Sequence, residues 1–309
     1  MLLVTGAGGF LGRYVSLQAA ASGRPLLGTV HKRGADEKAY PVEAIDLTGP
    51  SSARELINRV NPTIVVNCAA LTNVDECEIH PDWALLVNAE LPGQLAAACA
   101  ERGARFIHIS TDSVFDGERG GYTEDDVPGP LNSYAKSKLA GETAVRESYE
   151  EALILRTNFI GLSESGMSGL ADWIASSLEA GKRINGFTDV VFSPLLADDL
   201  ARLILEVADA GLCGTYNASA RNSCSKYDFA LGLASAVGLD SALVDPVKLS
   251  EGELLARRPL NTSLSPSRIE EALGRSMPTV QAAITGYAAQ RLAGHVATST
   301  RAGSASWPS

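Results

Sequence analysis

Tyr134 and Lys138 stand four residues apart in the stretch Ser133–Glu142, and of the eight tyrosines in the chain only Tyr134 has a lysine at that spacing. On a helix the two side chains share one face. A cation beside a phenol lowers its pKa from an ordinary value near ~10, and such a phenol can exchange a proton with a carbonyl or an alcohol. A solvated helix face would carry the same pair, so the neighbouring polar residues matter. The apolar run Phe106–Ile109 ends in Ser110-Thr111-Asp112-Ser113. Strand ends of this polarity line the ligand crevice of a doubly wound sheet, and a hydroxyl there can bond the carbonyl that the tyrosine protonates. Capping of the strand end is the plainer reading of Ser110 and Thr111.

A third group lies at the start of the chain. Thr5-Gly6-Ala7-Gly8-Gly9-Phe10-Leu11-Gly12 follows a short apolar run and opens an amphipathic segment. Gly6, Gly9 and Gly12 form a variant of the dinucleotide fingerprint: one glycine for the tight turn, one for close approach of a pyrophosphate, one for helix packing against the strand. The backbone at Gly6, Gly9, Phe10 and Leu11 then offers oriented N–H groups and the positive end of a helix dipole. At the end of the second strand, where a carboxylate would hold the ribose 2′-hydroxyl of NAD, the chain reads His31-Lys32-Arg33. The two firm cations suit a 2′-phosphate, which favours NADP; a solvated basic turn is the alternative. Asp46 and Leu47 are expected to border the adenine.

These residues need a frame. Strands are predicted at Leu2–Thr5, Pro25–Val30, Thr63–Asn67, Arg105–Ile109 and Ala152–Arg156, and helices at Phe10–Ala21, Ser51–Val60, Trp83–Arg102 and Ser133–Ser148. The alternation implies an α/β fold with a doubly wound parallel sheet. The second half is less regular, with helices expected at Ser168–Ala180, Ala197–Ala210, Lys226–Ala236, Ser267–Leu273 and Thr279–Leu292 between glycine-rich loops. Residues 1–157 are read as the dinucleotide-binding domain. Residues 158–293 are read as a smaller substrate-binding lobe that returns elements to the main sheet, and residues 294–309 as a flexible tail.

Composition narrows the function classes. The chain has 309 residues, 26 Lys plus Arg against 36 Asp plus Glu, and a net charge of −10. An acidic chain without a basic run is not expected to bind nucleic acid or an anionic membrane. No apolar stretch approaches the ~18 residues of a membrane span, and no signal peptide is evident, so a cytoplasmic location is expected. Cysteines 68, 77, 99, 213 and 224 form no CxxC pair, and His31, His80, His108 and His295 show no metal-ligand spacing, so no metal site is expected. His108 is read as a satisfied interior residue.

With these motifs in place, the chain resembles an extended short-chain dehydrogenase/reductase and, within that superfamily, the dTDP-4-dehydrorhamnose reductase group. The matching stretches are Thr5–Gly12, Val66–Asp75, Val87–Pro92, Ser110–Gly117, Ser133–Glu142 and Arg258–Leu264. The resemblance implies an NADPH-dependent reductase of the 4-keto group of a nucleotide-linked deoxysugar, with Thr111, Tyr134 and Lys138 as the catalytic triad. Tyr134 would donate the proton, Thr111 would orient the carbonyl, and Lys138 would tune Tyr134 and hold the nicotinamide ribose. Cys68, Ala69 and Ala70 would pass beneath the cofactor, and Asn88 would support the site. Thr72, Val74, Asp75, Asp112, Ser113 and Asn158 would lie along the substrate. Arg258 would meet the nucleotide diphosphate, or would be a surface arginine beside Arg257. Family habit also implies a homodimer.

Ser113 departs from the group, whose rhamnose-forming members carry tyrosine there, as does Asn158-Phe159 where a tryptophan region is usual. A 4-ketodeoxysugar other than the rhamnose precursor is therefore expected. Sugar-nucleotide 4,6-dehydratases place glutamate at the position of Ser113, so elimination of water is disfavoured. Two further readings stay open: an NADP-binding regulatory subunit resembling the β subunit of methionine adenosyltransferase, and an epimerase that retains NAD.

Overall fold

The computed structural model describes residues 1–31, 39–163, 169–251 and 255–302, the segment 294–302 by its backbone alone. The first half runs β1 (Leu2–Thr5), α1 (Phe10–Ala21), β2 (Leu26–Val30), β3 (Val42–Ala44), α2 (Ser52–Val60), β4 (Ile64–Asn67), α3 (Val74–Ile79), α4 (Pro81–Leu85), a π-helical turn (Leu86–Glu90), α5 (Leu91–Arg102), β5 (Arg105–Thr111), α6 (Ser133–Ser148) and β6 (Leu153–Thr157). The second half runs β7 (Phe159–Ile160), α7 (Leu170–Glu179), β8 (Ile184–Phe187), β9 (Val191–Phe192), β10 (Leu195–Leu196), α8 (Ala197–Ala210), β11 (Gly214–Ala218), β12 (Cys224–Ser225), α9 (Lys226–Val237), β13 (Val244–Val247), α10 (Ser267–Leu273) and α11 (Val280–Ala302).

Seven strands form one sheet in the order β11-β6-β5-β4-β1-β2-β3, and every neighbouring pair is parallel. This is the doubly wound sheet that the strand–helix alternation predicts. Alternation along β1 sends its residues to two cores. Leu2 and Val4 join Leu11, Val15, Leu200 and Ile204 beneath α1 and α8. Leu3 joins Val65, Leu56, Leu95 and Val145 beneath α2, α5 and α6. The strand order reverses between β1 and β4, which opens a crevice at their carboxyl ends.

The structure departs from the predicted elements where hydrophobic pattern is weak. Val42–Ala44 joins the sheet through β2 although Val-Glu-Ala carries no apolar run. Gly214–Ala218 joins through β6 although Gly-Thr-Tyr-Asn-Ala reads as a loop. The single helix expected over Trp83–Arg102 is interrupted by the π turn at Leu86–Glu90, and α3 is a helix that the sequence reading lacked. The last helix extends past Leu292 to Ala302, through residues assigned to the tail, where alanines favour helix. The remaining strands pair as β10 with β7, β12 with β9 and β13 with β8.

Candidate active site

The glycine turn joins β1 to α1 across the crevice. Gly6 has φ +69°, and a Cβ on it would lie 2.6 Å from the Ala69 nitrogen. A Cβ on Gly12 would lie 2.1 Å from the Gly6 carbonyl oxygen, so only glycine lets α1 pack this close to the turn. Gly9 is the N-cap and has no side chain to fill the place in front of the helix. The turn opens on a cavity of about 250 Å³ lined by Gly6, Gly9, His31, Leu47, Cys68, Ala69, Ala70 and Trp83 among others. A bare backbone turn at a helix N-terminus, followed by an apolar slot, fits a dinucleotide.

The other residues assigned to the cofactor are placed differently. The Phe10 ring lies against Phe159 and Tyr14, and Leu11 is in the core, so only their backbone can face a ligand. Asp46 does not line the cavity. Its carboxylate accepts from Thr48 N at 2.9 Å and Thr48 Oγ1 at 2.6 Å, bonds that hold it below its ordinary pKa, and it lies 3.8 Å from His31 Nδ1. Lys32 and Arg33 lie outside the described residues.

The floor of the slot is fixed from beneath. Asn88 is fully buried in the π turn; its amide accepts from Leu71 N at 2.8 Å and donates to Leu71 O at 2.9 Å and Ser137 Oγ at 3.0 Å. The loop after β4 is thereby tied to α6. Across that contact a Cβ on Gly141 would lie 2.1 Å from the Asn88 carbonyl oxygen.

Helix α6 carries Tyr134 and Lys138 and is held at its start and near its middle. Asn132 caps it, accepting from Ala135 N at 2.8 Å, and Ser133 donates to Glu78 through its N–H at 2.7 Å and its hydroxyl at 2.9 Å. Further along, Glu142 accepts from Ser110 Oγ at 2.6 Å and from Arg156 at 2.7 Å. Ser110 is thereby turned to Glu142, whereas Thr111 Oγ1 donates to Asp112 Oδ1 at 3.2 Å and lies beside Tyr134.

The expectation that Lys138 lowers the Tyr134 pKa does not hold. Burial pushes the phenol up to about 12, while the Thr111 hydroxyl beside it pulls the other way. Lys138 is not among the groups acting on it. Its Nζ instead donates to the Ile109 carbonyl at 2.7 Å and lies 3.4 Å from His108 Nε2, and burial brings its pKa down to about 8. Tyr134 is thus a protonated donor at neutral pH, which is the state that protonating a nascent alkoxide requires.

Beyond Thr111 a second cavity, of about 380 Å³, is lined by Asp112, Ser113, Asn158, Trp173, Phe192, Lys226, Arg258 and Thr262 among others. Asp112 is buried and accepts from Thr262 Oγ1 at 2.7 Å and Asn158 Nδ2 at 2.9 Å. It joins the ends of β5 and β6 to the segment after Arg258. Burial raises its pKa against those bonds. Arg258 reaches the wall of the cavity paired with Asp75 at 3.0 Å. Thr72 is exposed and Val74 opens α3; neither is among the residues that line this cavity.

Sequence reasoning missed Lys226. Its Nζ lies 3.1 Å from the centroid of the Phe192 ring. Burial lowers its pKa to about 8, with Asp112 acting in the opposite direction. Nothing in Ser-Lys-Tyr-Asp marks it, since its approach to Asp112 depends on the pairing of β12 with β9. Among the described residues no group of three His, Cys, Asp or Glu side chains could hold a metal ion. None of the described helices is long and apolar enough to cross a membrane.

A parallel sheet with a glycine turn at its reversal point, a slot beside that turn, and Thr111 at the end of β5 with Tyr134 and Lys138 on α6 fit an oxidoreductase of the short-chain dehydrogenase/reductase class. Residues 1–292 match the family model described as RmlD substrate binding domain, and the chain belongs to this family. It is 38% identical over 284 residues to a Haloferax volcanii protein named "Probable low-salt glycan biosynthesis reductase Agl14", covering 90% of this chain and 94% of that one. It is 37% identical over 271 residues to a dTDP-4-dehydrorhamnose reductase of Mycobacterium tuberculosis, covering 85% and 84%. Bovine methionine adenosyltransferase 2 subunit beta is 32% identical over 288 residues, covering 90% and 84%. The solved dTDP-4-dehydrorhamnose reductase of Bacillus anthracis in complex with NADP superposes with a TM-score of 0.79 at 28% identity, covering 93% and 97%.

Proposed function

We propose that the protein uses NADPH to reduce the 4-keto group of a nucleotide-activated 4-keto-6-deoxyhexose, with dTDP as the nucleotide. The observation that carries this reading is the protonated Tyr134 phenol beside the Thr111 hydroxyl and near Asp112, which lines the second cavity. Its support is the family relationship and the NADP found in the Bacillus anthracis relative.

NADPH bound in the slot would supply the hydride. Gly6, Gly9 and the first turn of α1 would hold its pyrophosphate, with Cys68, Ala69 and Ala70 beneath it. Thr111 would orient the sugar carbonyl, and the Tyr134 hydroxyl would give its proton to the oxygen that becomes the alcohol. Lys138 would hold the nicotinamide ribose. Asp112 would keep Thr111, Asn158 and Thr262 in place at the sugar. Lys226 and Arg258 would meet the anionic part of the nucleotide. Ser113 leaves a small hydroxyl at the sugar side, which favours a deoxysugar other than the rhamnose precursor and supplies no carboxylate for dehydration.

The test is nicotinamide absorbance on mixing the protein, NADPH and a dTDP-4-keto-6-deoxyhexose, with NADH and Tyr134→Phe in parallel. NADPH oxidation that is lost in Tyr134→Phe is the expected result. Binding of NADPH without any turnover, together with a co-purifying protein, would point instead to a non-catalytic subunit role, as the name of the relative methionine adenosyltransferase 2 subunit beta suggests.

A further inference from the structure

His108 sits on β5, fully buried, between Asn67 on β4 and Lys138 on α6. The role assigned to Lys138 leaves this imidazole unexplained, and the hydrogen bonds around it determine where its proton is. The Ala69 backbone N–H, which can only donate, points at Asn67 Oδ1 from 3.2 Å. Thr5 Oγ1 donates to the same oxygen at 2.6 Å. The amide orientation of Asn67 is therefore fixed, and its Nδ2 donates to His108 Nδ1 at 3.1 Å. A neutral imidazole carries one N–H. With Nδ1 accepting, that hydrogen is on Nε2, which faces Lys138 Nζ at 3.4 Å.

We infer that His108 is a positioning residue for Lys138: held as its Nε2–H tautomer by Asn67, it donates to the lysine nitrogen and favours the neutral amine. An ammonium at this place would set two donors against each other, whereas an amine completes a chain of one direction. The chain runs from the Ala69 N–H through Asn67, His108 and Lys138 to the Ile109 carbonyl, 2.7 Å from Nζ.

The other groups around Lys138 do not replace this effect. Cys68, from the loop after β4, stays a thiol because burial pushes its pKa to about 12. Glu142, on the same helix, favours the ammonium, but its oxygens are already engaged by Ser110 and Arg156. Burial keeps His108 itself neutral, its pKa falling well below the ordinary value. His108 thus adds to burial in lowering the pH at which the proposed catalytic lysine changes charge. This inference rests on the assignment of Lys138 to the reaction, but its readouts do not.

The experiment uses the whole protein with 15N-labelled histidine and 13Cε-labelled lysine. Loss of a signal in His108→Gln and in Lys138→Met assigns the two residues. The expected result is an unprotonated Nδ1 and a protonated Nε2 on His108, and a Lys138 midpoint near 8. In His108→Gln the amide oxygen can accept from an ammonium, so the Lys138 midpoint should rise about tenfold in proton affinity or more. The alkaline limb of NADPH turnover should move with it. Asn67→Asp, whose carboxylate would take the proton at Nδ1 and reverse the chain, should raise the midpoint in the same direction. A His108 protonated on Nδ1 in the unaltered protein overturns the inference, and so does a Lys138 midpoint that stays in place in a folded variant. If the spectra behave as stated while Tyr134→Phe keeps full turnover, the proposed function fails and this inference stands.

Discussion

Arg156 on β6 grips both carboxylate oxygens of Glu142 on α6, with Nη2 2.7 Å from Oε2 and Nε 3.0 Å from Oε1. The side chains are 3% and 0% exposed. The pair ties the sheet to the helix that carries Tyr134 and Lys138, one turn beyond Lys138, and Arg156 also covers the face of the Phe115 ring. Removing one partner leaves an uncompensated buried charge. Arg156→Met or Glu142→Gln is expected to destabilise the fold by about 3–5 kcal/mol, and Arg156→Met with Glu142→Leu to recover most of it. Urea denaturation of the three variants decides the matter; equal losses in single and double variants would show that the pair holds no such charge balance.

Gly12 should tolerate nothing larger. The Cβ of Gly12→Ala would lie 2.1 Å from the Gly6 carbonyl oxygen, so the turn and α1 must separate. NADPH affinity, read by fluorescence titration, is expected to fall at least tenfold. Gly23→Ala is the control: at φ +70° it meets nothing within 4 Å, and should cost only about 1–2 kcal/mol of backbone strain with cofactor affinity intact.

Tyr134 should remain a phenol across the whole neutral range. Its pKa of about 12 lies above the ordinary tyrosine value, so the folded protein keeps this proton where an unfolded chain loses it. The difference in tyrosinate absorbance between the unaltered protein and Tyr134→Phe should show no ionisation of this group below about pH 11. Turnover of Tyr134→Phe should fall by about 10²–10⁴-fold with NADPH affinity unchanged. An ionisation near pH 8 would mean that Lys138 acts on the phenol after all.

Lys226 trades stability for a charge in the second cavity. Its folded-state pKa of about 8 lies below the ordinary 10.5. Between those values the unfolded chain holds more protons on this group than the fold, so its contribution to stability rises with pH through that window. Lys226→Met should therefore be more stable at pH 7, by about 1–3 kcal/mol, with the gain fading as the pH approaches 10.5. The same variant should raise the KM for the nucleotide sugar and leave NADPH affinity alone. A pH-independent difference in stability would show that the ammonium is not desolvated in this cavity.

Much of this was legible because it depends on local spacing. Gly6, Gly9 and Gly12 are constrained by one turn of backbone, and Tyr134 and Lys138 by one turn of helix. Leu2–Thr5 and Ile64–Asn67 announce themselves by continuous apolarity, as strands buried on both faces do. What escaped depends on distant partners. β3 and β11 are edge strands whose pairing comes from the rest of the sheet. The π turn places Asn88 against a loop that precedes it by seventeen residues. Lys138 aims at Ile109 and His108 rather than at Tyr134, because β5 offers a carbonyl and a ring nitrogen that helical spacing does not reveal. Thr72 and Val74 were drawn to the substrate by resemblance alone, whereas Lys226 stands in that cavity without any motif.

The pairing of β11 with β6 has a consequence for biosynthesis. β6 ends at Thr157, and its outer edge is covered only by Gly214–Ala218. At ~5–20 residues per second a ribosome needs several seconds to add the intervening segment. During that interval the chain holds the other six strands of the sheet but not the one that covers β6, and an uncovered strand edge is the kind of template that recruits other chains. The stretch of translation between β6 and β11 is thus a period in which an edge later covered stands open, and a stall there should favour aggregation over a stable half-molecule.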